Sequence, residues 1–244
     1  MEKIILFILR LQNFILFKLI EIFSLLYHKY AIVYMFHEIK DCDTVNSEYE
    51  VTTKDFEIFI KKISSKNIIN CSDLKIKSSK NDAEKIILTF DDGFESIYTE
   101  VYPILKKMNI PFTLFVSLSF INKKGYLSED QLKILSGDEL CTIGSHGVDH
   151  IYYRTLSKFD CNYQLYQSKR KIEELINKDV EFFAFPYGDF HSCSLSNILV
   201  AKKSSYKYLF STIPVKISNS PFIKSFFIPR INVTTELIKK MSQD

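Results

Sequence analysis

Short, almost continuous apolar runs alternate with amphipathic stretches along most of the chain. The runs are AIVYMF (31–36), KIILTF (85–90), FTLFV (112–116), ELCTIG (139–144), EFFAF (181–185), YKYLFST (206–212) and FFIPRINV (226–233). Runs this short, bounded by polar residues and rich in β-branched and aromatic side chains, predict strands that are apolar on both faces. Between them, helical spacing of apolar positions predicts helices over 55–65, 94–108, 128–136, 158–177 and 194–204, and a last one from 234, with a polar loop ahead of the first. Strand followed by helix, repeated, implies a parallel α/β sheet covered on both faces, either open and doubly wound or closed into a barrel. No repeat, low-complexity tract or linker interrupts this pattern after residue 30.

Residues 4–27 break the rhythm, being apolar enough to suggest a membrane span or a signal peptide. At 100° per residue, Lys3, Arg10, Lys18, Glu21, Ser24 and His28 fall on one side, with Asn13 at its margin and only Gln12 opposite. Spanning a bilayer would cost roughly 2.5–3.5 kcal/mol for each of the more central charges, a cost avoided by a helix lying in the interface. Arg10 and the lack of a small-x-small site before His28 also argue against a signal peptide. The expected organisation is an amphipathic, membrane-interfacial helix over 1–29 and one domain over 30–244. Packing of that helix on the domain or a partner is the alternative, ahead of a true span or an uncleaved signal.

Composition narrows the class. Of the 244 residues, 46% are hydrophobic and 25% charged, as in ordinary folded domains. With 32 basic and 29 acidic residues the net charge is only +3, so no nucleic-acid partner is expected. Cys42, Cys71, Cys141, Cys161 and Cys193 are odd in number and form no C-x-x-C pair, so they are expected to be free thiols. Free thiols and no signal peptide suggest a cytoplasmic protein, peripheral on the membrane, with extracytoplasmic anchoring as the alternative.

Three clusters of candidate chemistry each follow a predicted strand. Thr89-Phe90-Asp91-Asp92-Gly93 places two carboxylates side by side, which is costly unless a cation or a proton offsets one of them; a helix-capping turn is the competing use. Ser145-His146-Gly147-Val148-Asp149-His150 places two imidazoles four residues apart, and with a carboxylate they complete the three-ligand open site of catalytic zinc. Phe185-Pro186-Tyr187-Gly188-Asp189 is a tight turn that can aim the Tyr187 backbone N–H into a site, or serve only as a loop.

Taken together, TFDDG, SHGVDH and FPYG resemble, in order and separation, the first three motifs of the polysaccharide deacetylases, carbohydrate esterase family four or the NodB homology domain. VYMFHEI is similar to the strand that opens many bacterial members. The resemblance spans about residues 85–190 and more weakly to 233. It implies a distorted (β/α) barrel of about seven parallel strands and hydrolysis of the N-acetyl group of an acetamido sugar. It also implies a divalent metal, zinc first, with Co2+, Ni2+ or Mn2+ as alternatives. By the same resemblance Asp92, His146 and His150 would be the ligands, Asp91 the general base, and the Tyr187 N–H part of an oxyanion hole. The chain departs from the family at Ala184, where an arginine usually fixes the base, and it shows neither the aromatic fourth motif nor the late histidine that protonates the leaving amine. His191 and His37 are candidates for that acid, and Arg230 for the arginine's task. The expected substrate is an N-acetylated glycan or lipid-linked sugar. Competing readings are a catalytically weak, metal-containing glycan-binding relic and a hydrolase of a non-sugar amide on the same fold.

Overall fold

The structure, a computed structural model, describes residues 27–74, 84–189, 192–218 and 227–243, with positions 11, 14, 15, 18, 19, 21 and 22. Those early positions are helical, and the remainder of the expected amphipathic segment up to residue 26 lies outside the described residues. Among the described residues no helix is long and apolar enough to cross a membrane.

Strand β1 (Lys29–Phe36) runs straight through the core, all but its first residue buried. The polar loop expected after it carries two short strands, β2 (Glu38–Lys40) and β3 (Glu50–Thr52), which form their own parallel pair. Helix α1 (Thr53–Ile63) follows; Thr52 caps it by accepting from the Asp55 N–H, and Phe56, Phe59, Ile60 and Ile63 form its buried stripe. A short β4 (Asn67–Ile68) leads to β5 (Lys85–Phe90), which pairs parallel with β1 from Ala31↔Lys85 to Phe36↔Phe90. Phe36 stacks on Phe90 (centroids 5.3 Å apart), while Phe56 and Phe59 of α1 meet Phe36 edge-on, so much of the high phenylalanine content builds the sheet–helix core.

The helix expected over 94–108 begins later. Phe94 instead bridges to Tyr126, and a π-turn over Ile97–Val101 precedes the regular helix α2 (Tyr102–Lys107). Pro103 lacks an N–H, so an ordinary helical bond could not run through this point. The remaining units follow the expected alternation: β6 (Phe112–Val116), α3 (Glu129–Gly137), β7 (Cys141–Ser145), α4 (Lys158–Ile176), β8 (Phe182–Ala184), α5 (Leu195–Lys203) and β9 (Tyr208–Phe210). The capping pairs Ser128/Gln131 and Ser194/Asn197 fix the starts of α3 and α5.

From β5 to β9 each strand is parallel to the one before. A short antiparallel β10 (Ile217–Ser218) borders the start of β1. The run expected over 226–233 is a strand for only two residues, β11 (Ile231–Asn232), before the last helix α6 (Thr235–Gln243), because Pro229 cannot donate to a ladder. Its two ends do different work. Ile228 exchanges backbone hydrogen bonds with the end of β9 (Ile228 N to Leu209 O, 2.7 Å; Ser211 N to Ile228 O, 2.8 Å), whereas β11 pairs parallel with β1. Residues 228–232 therefore span the gap between the last and first strands of the curled sheet, giving the distorted barrel of about seven parallel strands that the family resemblance implied. Cys71, Cys141, Cys161 and Cys193 are buried and Cys42 is exposed, with no disulfide among them.

Candidate active site

The three sequence clusters and His37 lie at the C-terminal ends of the parallel strands, where an α/β barrel gathers its loops. Asp91 continues β5 (its N–H to Phe36 O, 2.9 Å) and His146 continues β7 (its N–H to Val116 O, 2.8 Å). The backbone then turns sharply: Asp92, His150 and Tyr187 have φ of 72°, 51° and 62°. Non-glycine residues in this region cost of order 1–3 kcal/mol each, and such outliers concentrate where geometry is held for function. Gly147 (φ +85°) is needed for a second reason: a Cβ there would sit 2.6 Å from the Tyr153 hydroxyl.

One ligand atom each from Asp92, His146 and His150 lies within 4.8 Å of the others. Asp92 Oδ1 is 3.5 Å from His146 Nε2 and 3.1 Å from His150 Nε2, yet the carboxylate oxygen is buried and outside hydrogen-bonding geometry with either. His146 Nδ1 lies 2.8 Å from the carbonyl oxygen of Ala184. A carbonyl can only accept, so Nδ1 carries the hydrogen and Nε2 turns its lone pair toward Asp92. Burial, which Asp91 and Asp92 only partly oppose, pushes the His146 pKa down to about 4, so the imidazole is neutral near pH 7. For His150, burial is outweighed by the neighbouring Asp92 and the pKa ends above its ordinary value. An orphaned buried carboxylate oxygen facing two imidazole nitrogens is a donor set suited to a small divalent cation.

Asp91 has a different partner. Arg230, itself wholly buried, grips it with two charge-assisted bonds, Nη1 to Oδ1 at 2.6 Å and Nη2 to Oδ2 at 2.8 Å. The guanidinium is anchored further: Nε donates to Ser211 O (3.1 Å), Nη1 also reaches Thr89 Oγ1 (3.3 Å), and the ring of Phe115 lies 5.3 Å from Cζ. Burial alone would raise the Asp91 pKa, but the guanidinium and nearby His146 hold it down to about 2, so the carboxylate stays ionised. Its second lone pairs remain available to the cleft.

These groups floor a cleft of about 610 Å³. His37 lines it; its Nδ1 is buried with no partner among the described residues, and Tyr49 meets its ring edge-on at 4.8 Å. Burial lowers the His37 pKa, with Asp91 and Asp92 pulling the other way. Tyr187 and Tyr152 stack face to face at 4.0 Å on the rim. The Tyr187 turn is held by Thr212, whose Oγ1 donates to Tyr187 O (2.6 Å) and whose N–H bonds Gly188 O (3.0 Å). The Tyr187 N–H finds no backbone acceptor among the described residues. The structure thus brings Asp91, Asp92, His146, His150, Tyr187 and Arg230 together with His37, one of the two candidate acids. His191 lies outside the described residues. Sequence reasoning gave no role to Ala184 O, because a backbone carbonyl carries no residue signature.

Fold and site together define an α/β-barrel protein in which a converging Asp-His-His group that could hold a cation lies beside an arginine-clamped carboxylate. The chain belongs to the polysaccharide deacetylase family, whose model matches residues 78–209. It is 25% identical over 187 residues to YxkH of Bacillus subtilis strain 168, covering 75% of this chain and 64% of that protein. With a poly-beta-1,6-N-acetyl-D-glucosamine N-deacetylase of Staphylococcus aureus it shares 26% over 181 residues, 68% of this chain and 60% of the relative. The chain thus spans only about three fifths of the length of these curated relatives. Among solved structures, IcaB from Ammonifex degensii superposes with a TM-score of 0.73 at 20% identity, covering 88% of this chain and 98% of that one. The Streptococcus pyogenes deacetylase PplD gives 0.74 at 20% identity, with the same 88% and 98%. At such identities these two likenesses speak to the fold.

Proposed function

We propose that this chain is a metal-dependent hydrolase that removes the N-acetyl group from acetamido sugars of a glycan. The observation that carries the reading is the ionised Asp91, fixed by Arg230 at the floor of the cleft and one residue from the converging Asp92, His146 and His150. A relic that only bound metal or sugar would have no chemical use for a buried second carboxylate and the buried cation that matches it. The name of the Staphylococcus aureus relative supports an N-acetylglucosamine polymer as the substrate class.

Two imidazoles and one carboxylate suit zinc with an open coordination position, and Asp92, His146 and His150 would hold it. A divalent cation there supplies Lewis acidity, polarising the amide carbonyl and lowering the pKa of water from 15.7 toward 7. The protein's own groups do the rest. Asp91 accepts the proton of the attacking water, and Arg230 keeps its carboxylate aimed and charged. The Tyr187 N–H, held by the strained turn and by Thr212, donates to the oxygen that becomes negative as the carbonyl carbon turns tetrahedral. His37, the remaining imidazole of the described cleft, gives its proton to the departing amine as the C–N bond breaks and is recharged with the one Asp91 took from water, leaving acetate and a free amino sugar.

The test is acetate release from β-1,6- and β-1,4-linked N-acetylglucosamine oligomers, after treatment with a chelator and again after zinc or cobalt is restored. Chelation is expected to abolish release and zinc to restore it; tight metal binding with no release from any acetamido sugar would overturn the reading. A second measurement addresses His37. His37→Gln is expected to slow acetamide hydrolysis by about 10²-fold or more, yet to affect an aryl acetate far less, because a phenolate leaves without a proton. Equal losses on both substrates would remove His37 from the acid's role.

A further inference from the structure

The loop that carries the two histidines is held at nearly every backbone group. On one side His146 N–H bonds Val116 O, while the carbonyls of Gly147 and Val148 accept from Leu118 N (3.0 Å) and Ser119 N (2.9 Å). Ser117 Oγ donates to His146 O at 3.4 Å, and Gly147 N–H to Ser145 Oγ at 3.2 Å. That leaves the N–H groups of Val148 and Asp149, the two residues directly before His150. Both go to one atom: Gln164 Oε1, on the second turn of α4, at 2.9 Å and 3.1 Å. The amide's other end donates from Nε2 to Asp149 Oδ2 at 2.7 Å. Gln164 is 4% exposed, and these three hydrogen bonds of its amide go to Val148 and Asp149 rather than to a proposed ligand.

We propose that Gln164 is the positioning residue for His150: by gathering two consecutive backbone N–H groups and the Asp149 carboxylate, it sets the left-handed turn that points His150 at the cation. The inference rests on the reading of Asp92, His146 and His150 as ligands. His150 adopts φ of 51°, a conformation an ordinary residue leaves unless its neighbours are fixed. Gln164 is itself fixed. One turn on, Ser168 Oγ bonds the Gln164 carbonyl (2.7 Å) and receives Ser145 Oγ (2.9 Å), tying this part of α4 to the end of β7. A glutamine is suited to the task because one oxygen accepts both N–H groups while the NH₂ satisfies a carboxylate, a combination neither Glu nor Met provides.

The experiment measures zinc affinity of the full chain by competition with a chromophoric chelator, with melting temperature recorded on the metal-free protein. Gln164→Met keeps the volume and removes all three bonds; it is expected to weaken zinc binding by roughly 10–100-fold, the size of effect that outer-shell partners of a metal site exert. Asp149→Ala removes only the Nε2 anchor and should weaken binding by a smaller factor. Ile172→Val, buried on the same helix, should lower the melting temperature and leave zinc affinity unchanged. Should Gln164→Met fail to fold, Gln164→Glu, which keeps the acceptor but faces Asp149 with a like charge, takes its place with the same expected loss. Unchanged zinc affinity in the Gln164 variant and in Asp149→Ala, with only stability lowered, would overturn the proposal. A native chain that binds no zinc would instead overturn the ligand assignment beneath it.

Discussion

Asp91→Asn is expected to lower acetate release by about 10²–10⁴-fold, the span attributed to a positioned acid–base group, while zinc affinity stays within a few-fold of the native chain. The split matters because Asp91 neighbours a proposed ligand and could be imagined as a fourth. Its carboxylate oxygens are 2.6 Å and 2.8 Å from the Arg230 guanidinium, and Oδ2 is 3.8 Å from His146 Nε2. On the proposed reading this clamped group transfers a proton rather than holding the cation. Asparagine keeps the shape but cannot take a proton, so single-turnover acetate release separates chemistry from binding. A parallel collapse of zinc affinity would make Asp91 a ligand and sink its role as base.

The largest effect on stability is expected at Arg230. Arg230→Met leaves Asp91 buried without its cation, and breaking a buried pair by removing one partner costs about 3–5 kcal/mol, on the order of 10 °C in Tm for a domain of this size. The pH dependence should also reverse sign. In the native chain the Asp91 pKa lies at about 2, below its ordinary 3.8, so the stability contributed by this group is complete above pH 4 and is lost as pH falls toward 2. Without Arg230 the burial that opposes ionisation loses its main counterweight, so the variant is expected to gain relative stability on acidification as the carboxyl is neutralised. Thermal unfolding of both proteins between pH 3 and pH 7 checks this: the deficit of the variant should shrink toward the acid end. A deficit that is constant with pH would mean that Arg230 stabilises through packing alone.

How far the sequence could be read depended on how local each signal is. Strands β5, β6 and β7 were legible because short, mostly apolar runs give way to polar residues, which places Asp91 and the Ser145-His146 pair at the barrel mouth, whereas the roles expected of them came from the family resemblance. The π-turn before Pro103, the β2–β3 pair and the antiparallel β10 were not, since three-residue strands and widened turns depend on tertiary neighbours rather than on periodicity. Arg230 was visible only as a candidate, because its partner is 139 residues away and nothing near Pro229 or Ile231 marks a buried cation. Gln164 was hidden for a related reason: on an amphipathic helix a polar residue on the buried side reads as a blemish until its partners are seen. The aromatic content, equally suited to sugar stacking or to a core, went largely to the core, with Tyr49, Tyr152 and Tyr187 left at the rim.

The strap of residues 228–232 also fixes an order of assembly. During vectorial synthesis the three proposed ligands and Asp91 leave the ribosome long before Arg230 does, so a nascent barrel can gather its cation site while its base still lacks a counter-charge. The same few residues both bridge β9 to β1 and carry the guanidinium that meets Asp91. On the proposed reading, barrel closure and the charging of the base share one short segment, so a chain clipped ahead of residue 228 is expected to keep Asp91, Asp92, His146 and His150 yet release no acetate.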